Sequence, residues 1–400
     1  METRRHYDVV VVGGGPAGAT AAADLAARGR SVLLLDRAGR IKPCGGAIPP
    51  RLVRDYAIPE EIICARINCA RIVAPSAKHV DMHIDGGYVA MVDREVFDEF
   101  LRERAEAAGA ERQTGRFLRI SRDAGAHAIV HFRSGSEAGG DIVDDCVSAR
   151  LVIGADGANS LVARQEIAGG DRMPCVFAYH EIVRSPDASD ITFDPRRCDV
   201  HYDGRYSPDF YSWVFPHGKT ASIGTGTYHK GFGLRESVAA FRKRTGLDQL
   251  ETIRREGAPI PLKPLKRWDN GRDVIVTGDA AGVVAPASGE GIYYAMASAT
   301  RVAEAVEETL RTGQVRALAT ARKRFMKSHG RVFLILGIMQ WFWYRNDRLR
   351  ERFVSICADK DVQRLTWESY MNKELVRQSP VAHVRIFFKD LGHLLGLART

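Results

Sequence analysis

Four hundred residues exceed what one simple hydrophobic core serves, so the chain calls for two joined domains or one large composite domain. Hydrophobic content of 45% with 27% charged residues excludes a disordered chain, and no internal repeat, low-complexity tract or long Pro/Ser linker separates the parts. The formal charge of +9 lies wholly in the last fifth, where residues 321–400 carry 16 Lys/Arg against 7 Asp/Glu, and the absence of a recognition motif there argues against a nucleic-acid partner.

The N-terminus, Met1–Arg5, leads straight into a strand with no signal-peptide core, which places the protein in the cytoplasm. Seven scattered cysteines without a C-x-x-C pair predict reduced thiols and no metal site. Tyr7–Val12 is an apolar, β-branched run that reads as a buried parallel strand. It stops at Gly13-Gly14-Gly15-Pro16-Ala17-Gly18, an Ala-rich helix follows to Arg28, and Gly29 closes it as the C′ residue. A second strand, Ser31–Leu35, ends in Asp36, with Arg37 beside it. Gly13 permits the tight turn, Gly15 lets backbone approach a pyrophosphate, and Gly18 allows close helix–strand packing. The helix that opens at Pro16 and Ala17 presents free N–H groups and a positive dipole end to phosphates. Asp36, 18 residues beyond Gly18, stands where a carboxylate accepts hydrogen bonds from ribose hydroxyls. This is a dinucleotide site.

Further along come Lys42-Pro43-Cys44-Gly45-Gly46-Ala47 and a helix start at Arg94 in Asp93–Asp98. Arg150–Asn159 is an apolar strand ending at Asp156-Gly157, and Asp273–Gly282 is another, ending at Gly278-Asp279. Gly-rich Ala138–Gly140 and the polar stretch Ser185–Arg197 read as interruptions. In Tyr211-Ser212-Trp213-Val214-Phe215-Pro216, period-two geometry puts Tyr211, Trp213 and Phe215 on one face. Gly289, Gly291 and Ile292 precede a helix from about Tyr293, whose positive dipole end suits a negatively charged ligand group. The most apolar run, Val332–Met339, continues into Trp341-Phe342-Trp343-Tyr344 and is too short for the ~20 residues that span a bilayer. It reads either as a helix packed on the core or as an anchor at a membrane interface.

In this order, the fingerprint, Arg150–Asn159 and Asp273–Gly282 resemble the flavoprotein family that includes aromatic hydroxylases and geranylgeranyl reductases, over nearly the whole chain. The resemblance implies FAD, with Asp279 on its ribitol or pyrophosphate, Asp156 and Gly157 supporting it from behind, and Arg94 reaching it. A solvated first-turn charge is the other reading of Arg94. Lys42–Ala47 and the Y-x-W-x-F-P strand resemble geranylgeranyl reductases, which adds Cys44, Gly45, Gly46 and Ala47 to the cofactor set. Gly257–Pro264 and Gly278–Met296 resemble the bacteriochlorophyll-type subgroup. The implied reaction saturates three isolated double bonds of a geranylgeranyl chain, carried by bacteriochlorophyll or chlorophyll or free as the diphosphate, to give phytyl. Tyr211, Trp213 and Phe215 would wall the isoprenoid.

Such a reaction needs an acid in a dry pocket. Cys44, whose thiol burial would keep protonated, is nominated, with Tyr211, Tyr293 or an ordered water as alternatives. His180, His201 and His217 are read as structural or exposed, and no Ser/His/Asp constellation is visible. NADPH would dock without a fingerprint of its own; a ferredoxin-type donor meeting the basic C-terminal region is the rival. Rival functions are a flavin monooxygenase on an aromatic or prenylated ring, and a non-catalytic prenyl carrier. A third is the reduction of archaeal-type lipid chains.

The expected fold is α/β (α+β). A discontinuous Rossmann-type FAD domain takes residues 1–75, 90–168 and 268–320, and an antiparallel-sheet substrate domain takes 76–89 and 169–267. A basic helical segment at 321–400 completes it, held peripherally on the inner face of a photosynthetic membrane or packed on the core.

Overall fold

A computed structural model describes residues 4–37, 41–135, 142–186 and 193–373. The expected break at Ala138–Gly140, part of that at Ser185–Arg197, and residues 374–400 of the basic segment lie outside them. The fold is mixed α/β, in two compact units: Met1–Lys42, Arg94–Cys175 and Pro259–Phe333 form the first, and Pro43–Asp93, Val176–Ala258 and Leu334–Thr400 the second.

Among the described residues, the first unit holds a seven-stranded sheet in the order Glu111–Thr114, Val32–Asp36, His6–Val12, Val143–Gly154, Ala128–Ser134, Arg116–Arg122, with Val274–Val276 also paired to Val143–Gly154. His6–Val12 lies parallel to strands on both sides, and Val9, Val10 and Val11 are fully buried, which accounts for its unbroken apolar run. Helix Pro16–Ala26 packs by its Ala-rich face on helix Ile292–Thr312. Its end matches the expected C-cap, with Gly29 at φ +79° and its N–H donated to the Ala26 carbonyl.

In the second unit a seven-stranded sheet runs Thr252–Pro261, Cys175–Arg184, Thr220–Thr227, Ser212–His217, Arg197–His201, Cys69–Val73, His79–His83, again among the described residues. Its pairing is largely antiparallel as expected, save for Cys69–Val73, which runs parallel to Arg197–His201. One face carries Val183, Val214, Ala221 and Ile223 under Phe241 of helix Leu234–Thr245. Register puts Trp213 and Phe215 opposite Gly224 and Ser222 on the other face. A small sheet of Ala47–Ile48, Val89–Val92 and Ile63–Ile67 completes the unit.

The boundaries differ from those expected. Residues 43–75 go with the second unit because Ile63–Ile67 pairs with Val89–Val92 and Cys69–Val73 pairs with Arg197–His201. The described part of the C-terminal segment, residues 321–373, is not separate. Phe325 meets the Trp268 ring at a tilt, 5.3 Å away, in the first unit, whereas buried Arg350 donates to the Tyr344 carbonyl at 2.6 Å in the second. Helix Ala319–Trp343 buries Phe325, Phe333 and Trp343 but exposes Leu334, Ile335, Ile338 and Trp341, so the core-packed reading holds for one side alone. No described helix is long and apolar enough to cross a membrane.

Candidate functional site

The Gly-rich turn of the first unit is shaped by contacts that exclude side chains. Gly13 adopts φ +105°, and a Cβ there would lie 2.4 Å from the Ala155 carbonyl oxygen. A Cβ on Gly18 would lie 1.7 Å from the Gly13 carbonyl oxygen. Gly15 has no atom within 4 Å of its would-be Cβ, and it caps helix Pro16–Ala26 without any side-chain hydrogen bond. The helix start thus carries a positive dipole end with no side-chain cap. Pro16 and Ala17 are buried in that turn. Asp36 closes the second strand beside it, 3.4 Å from Arg102, which also donates to the Gly14 carbonyl at 3.2 Å; Arg37 is exposed.

Gly278 brings a second loop against this turn. It adopts φ +61°, and a Cβ there would lie 2.7 Å from the Ala17 Cβ. Ser298 braces the loop, accepting the Gly278 N–H at 3.1 Å and meeting Thr277 Oγ1 at 2.9 Å. Asp279 is ion-paired with Lys42. Gly289, at φ +66°, donates its N–H to the Ala285 carbonyl, and Gly291 caps helix Ile292–Thr312 with no side-chain bond. A second uncapped helix start thus stands in this unit. Ile292 is buried there, as is Tyr293, among the rings of Tyr294 and His329.

Two expected cofactor residues also make bonds within the protein. Asp156 accepts the Leu161 N–H at 2.7 Å and the Ser160 hydroxyl, capping helix Leu161–Glu166, with Gly157 at φ +84° making the turn. Arg94 is buried and bidentate to Asp98 at 2.8 and 2.7 Å, so it is not a solvated first-turn charge.

In the second unit, Tyr211, Trp213 and Phe215 share a face as period two predicts, at centroid spacings of 5.9 and 6.1 Å. Phe210 stacks on Tyr211 at 4.2 Å, and burial pushes the Tyr211 phenol far above its ordinary value. The loop Cys44–Ala47 packs against the far end of this row. A Cβ on Gly45 would sit 3.0 Å from the Phe215 ring, and one on Gly46, at φ +71°, 2.4 Å from His217. Cys44 is half-buried and its Sγ accepts the Gly46 N–H at 3.4 Å. Residue 217 continues the same alternation. Its Nδ1 meets Asp93 at 3.0 Å and its Nε2 the Gly45 carbonyl at 3.1 Å, so the imidazole pins the glycine loop. Cys64, its thiol pushed up to about 12 by burial and then by Asp93, lies 3.7 Å from His217 Nδ1. Cys64, Asp93 and His217 bring metal-ligating atoms within 4.8 Å, which the scattered cysteines did not suggest.

The fold also brings together a serine, a histidine and a glutamate that no sequence motif showed. Ser222 Oγ lies 2.8 Å from His180 Nδ1, and His180 Nε2 lies 3.1 Å from Glu256. These residues sit on three neighbouring strands, separated by 42 and 76 positions, so no local motif could have revealed them. Arg102 and Ser298 were hidden the same way. For Lys42 a signal existed, in the motif that includes it.

The uncapped helix starts, the open Gly15 and the carboxylates Asp36 and Asp279 fit FAD. A family model described as lycopene cyclase protein matches residues 8–381. A geranylgeranyl diphosphate reductase of Rhodobacter capsulatus is 56% identical over 98% of this chain and 98% of its own. One from Synechocystis is 37% identical over 97% of each. Among solved structures, a geranylgeranyl bacteriochlorophyll reductase-like protein of Thermoplasma acidophilum superposes with a TM-score of 0.78 at 22% identity, covering 94% of this chain and 99% of that one.

Proposed function

The chain belongs to the flavoprotein family described as lycopene cyclase protein and, within it, to the geranylgeranyl diphosphate reductases, and we propose on that premise that it saturates three isolated double bonds of a geranylgeranyl chain to phytyl in pigment biosynthesis. It is an FAD-dependent oxidoreductase. The observation that carries the reading is the 56% identity to the Rhodobacter reductase along 98% of both chains.

Bound FAD, once reduced, supplies a hydride. Gly13, Gly15, Pro16, Ala17 and Gly18 hold its diphosphate, Asp36 and Arg37 a ribose end, and Asp279 the ribitol side, with Asp156 and Gly157 fixing the turn behind. Gly278, Gly289, Gly291 and Ile292 present the second helix start, and Arg94, Cys44, Gly45, Gly46 and Ala47 complete the set. Tyr211, Trp213 and Phe215 receive the isoprenoid. An isolated alkene is unpolarised, so a proton must reach one carbon with or before the hydride. Cys44 is the favoured donor because its loop abuts the Phe215 end of the aromatic row. Tyr211 keeps its proton but is a weaker acid, and Tyr293 is the third nominee.

NADPH is the reductant in this reading. A pigment-ester substrate suits the exposed Leu334, Ile335, Ile338 and Trp341, three of which recur at helical spacing between Arg331 and Arg345. Such a stripe dips into the interface of an anionic membrane. Turnover with NADPH, followed by mass spectrometry and an oxygen electrode, tests the reading. Hydrogens gained without oxygen uptake are expected; an oxygenated product would identify a monooxygenase instead.

A further inference from the structure

The aromatic face of the second unit rests on a buried polar chain that the reaction does not use directly. Trp213 Nε1 donates to Ser222 Oγ at 3.0 Å, Ser222 lies 2.8 Å from His180 Nδ1, and His180 Nε2 lies 3.1 Å from Glu256, which also pairs with Arg254. Ser222 is fully buried, and the His180 and Glu256 side chains are 4% and 10% exposed.

With a neutral imidazole, one proton assignment satisfies every link. An indole N–H can only donate, and a carboxylate can only accept. Glu256 therefore requires the proton on His180 Nε2, which leaves Nδ1 to accept from the Ser222 hydroxyl, whose oxygen accepts from Trp213. Burial raises Glu256, but the His180 bond and Arg254 outweigh it and hold the carboxyl below its usual range, so the acceptor end stays charged. Gly224 clears the space above, since a Cβ there would lie 2.3 Å from the Trp213 ring and 2.6 Å from the His180 Cβ. Trp213 thus has one seat.

We propose that Ser222, His180 and Glu256 are positioning residues that lock the Trp213 indole and so fix the wall along which the isoprenoid advances between successive reductions. The inference rests on the reductase reading, and it assigns specificity for partly reduced chains to this relay. A long prenyl chain must slide by one unit per reduction, so a wall free to tilt would hold some intermediates poorly and release them early.

The test compares wild-type holoenzyme with Ser222→Ala, His180→Leu and Glu256→Gln, the last of which keeps an acceptor for His180. Flavin content and melting temperature exclude misfolding, the NMR signal of the Trp213 indole N–H (assigned with Trp213→Phe) reports the lock, and product analysis with geranylgeranyl diphosphate reports the wall. We expect Ser222→Ala to shift that signal, to raise KM about tenfold with a smaller change in kcat, and to release dihydro and tetrahydro products. Glu256→Gln should restore the wild-type product pattern. A displaced indole signal in Ser222→Ala with an unchanged product pattern would overturn the proposal, as would an unmoved signal. Failure of wild-type protein to reduce either the diphosphate or the ester would instead reject the reductase reading, while the indole signal would still report on the lock.

Discussion

Glycine decides the dinucleotide turn residue by residue. With 1.7 Å between a would-be Cβ on Gly18 and the Gly13 carbonyl, Gly18→Ala must push helix Pro16–Ala26 off its strand. We expect the purified variant to keep its fold but lose its yellow colour, with FAD affinity down at least about tenfold, measured by flavin absorbance per protein. Gly13, Gly15, Gly18 and Asp36 were legible in the sequence because a few adjacent residues set their geometry. Asp156 was legible as a turn but not as the cap of helix Leu161–Glu166, because its partner N–H groups belong to a helix whose start the sequence marks weakly. His180, Ser222 and Glu256 were illegible, since strand order alone brings them together. His217 could have been found by carrying the Tyr211, Trp213, Phe215 alternation one step further.

At the scale of elements, two predictions follow from faces. Strand Arg197–His201 turns His201 toward helix Leu234–Thr245, where its ring meets Phe241 edge-on at 4.8 Å and desolvation lowers its pKa to about 4. The unfolded chain then binds a proton that the folded chain refuses between about pH 6.5 and 4, so stability is full above that window and falls as pH drops through it. His201→Phe should flatten the pH dependence of the melting temperature there, removing about 3 kcal/mol of acid sensitivity; an unchanged slope would mean that His201 titrates normally. The exposed side of helix Ala319–Trp343 gives the other. Leu334→Glu with Trp341→Glu should cut sedimentation with anionic vesicles about tenfold while leaving the melting temperature unchanged. The sequence showed this helix's apolar character but not its split use, because Phe333 and Leu334 differ in burial through packing and not through type.

For the whole molecule, a Rossmann-type sheet and an aromatic-faced sheet are threaded through one chain in three alternating passes each. Apolar runs, the glycine fingerprint and the family resemblance pointed to both sheets, whereas the boundaries at 42–43 and 93–94 depended on which distant strand each short strand joins. The arrangement gives one chain both a dinucleotide-binding turn and a dry apolar wall, the two requirements for delivering a hydride and a proton to an alkene that water and polar groups do not activate. The most direct measurement is anaerobic incubation of the purified yellow protein with dithionite and geranylgeranyl-bacteriochlorophyll, followed by mass spectrometry of the pigment. Stepwise gains of two, four and six hydrogens are predicted; an unchanged pigment, from protein shown to hold reducible FAD, would contradict reduction of the esterified chain.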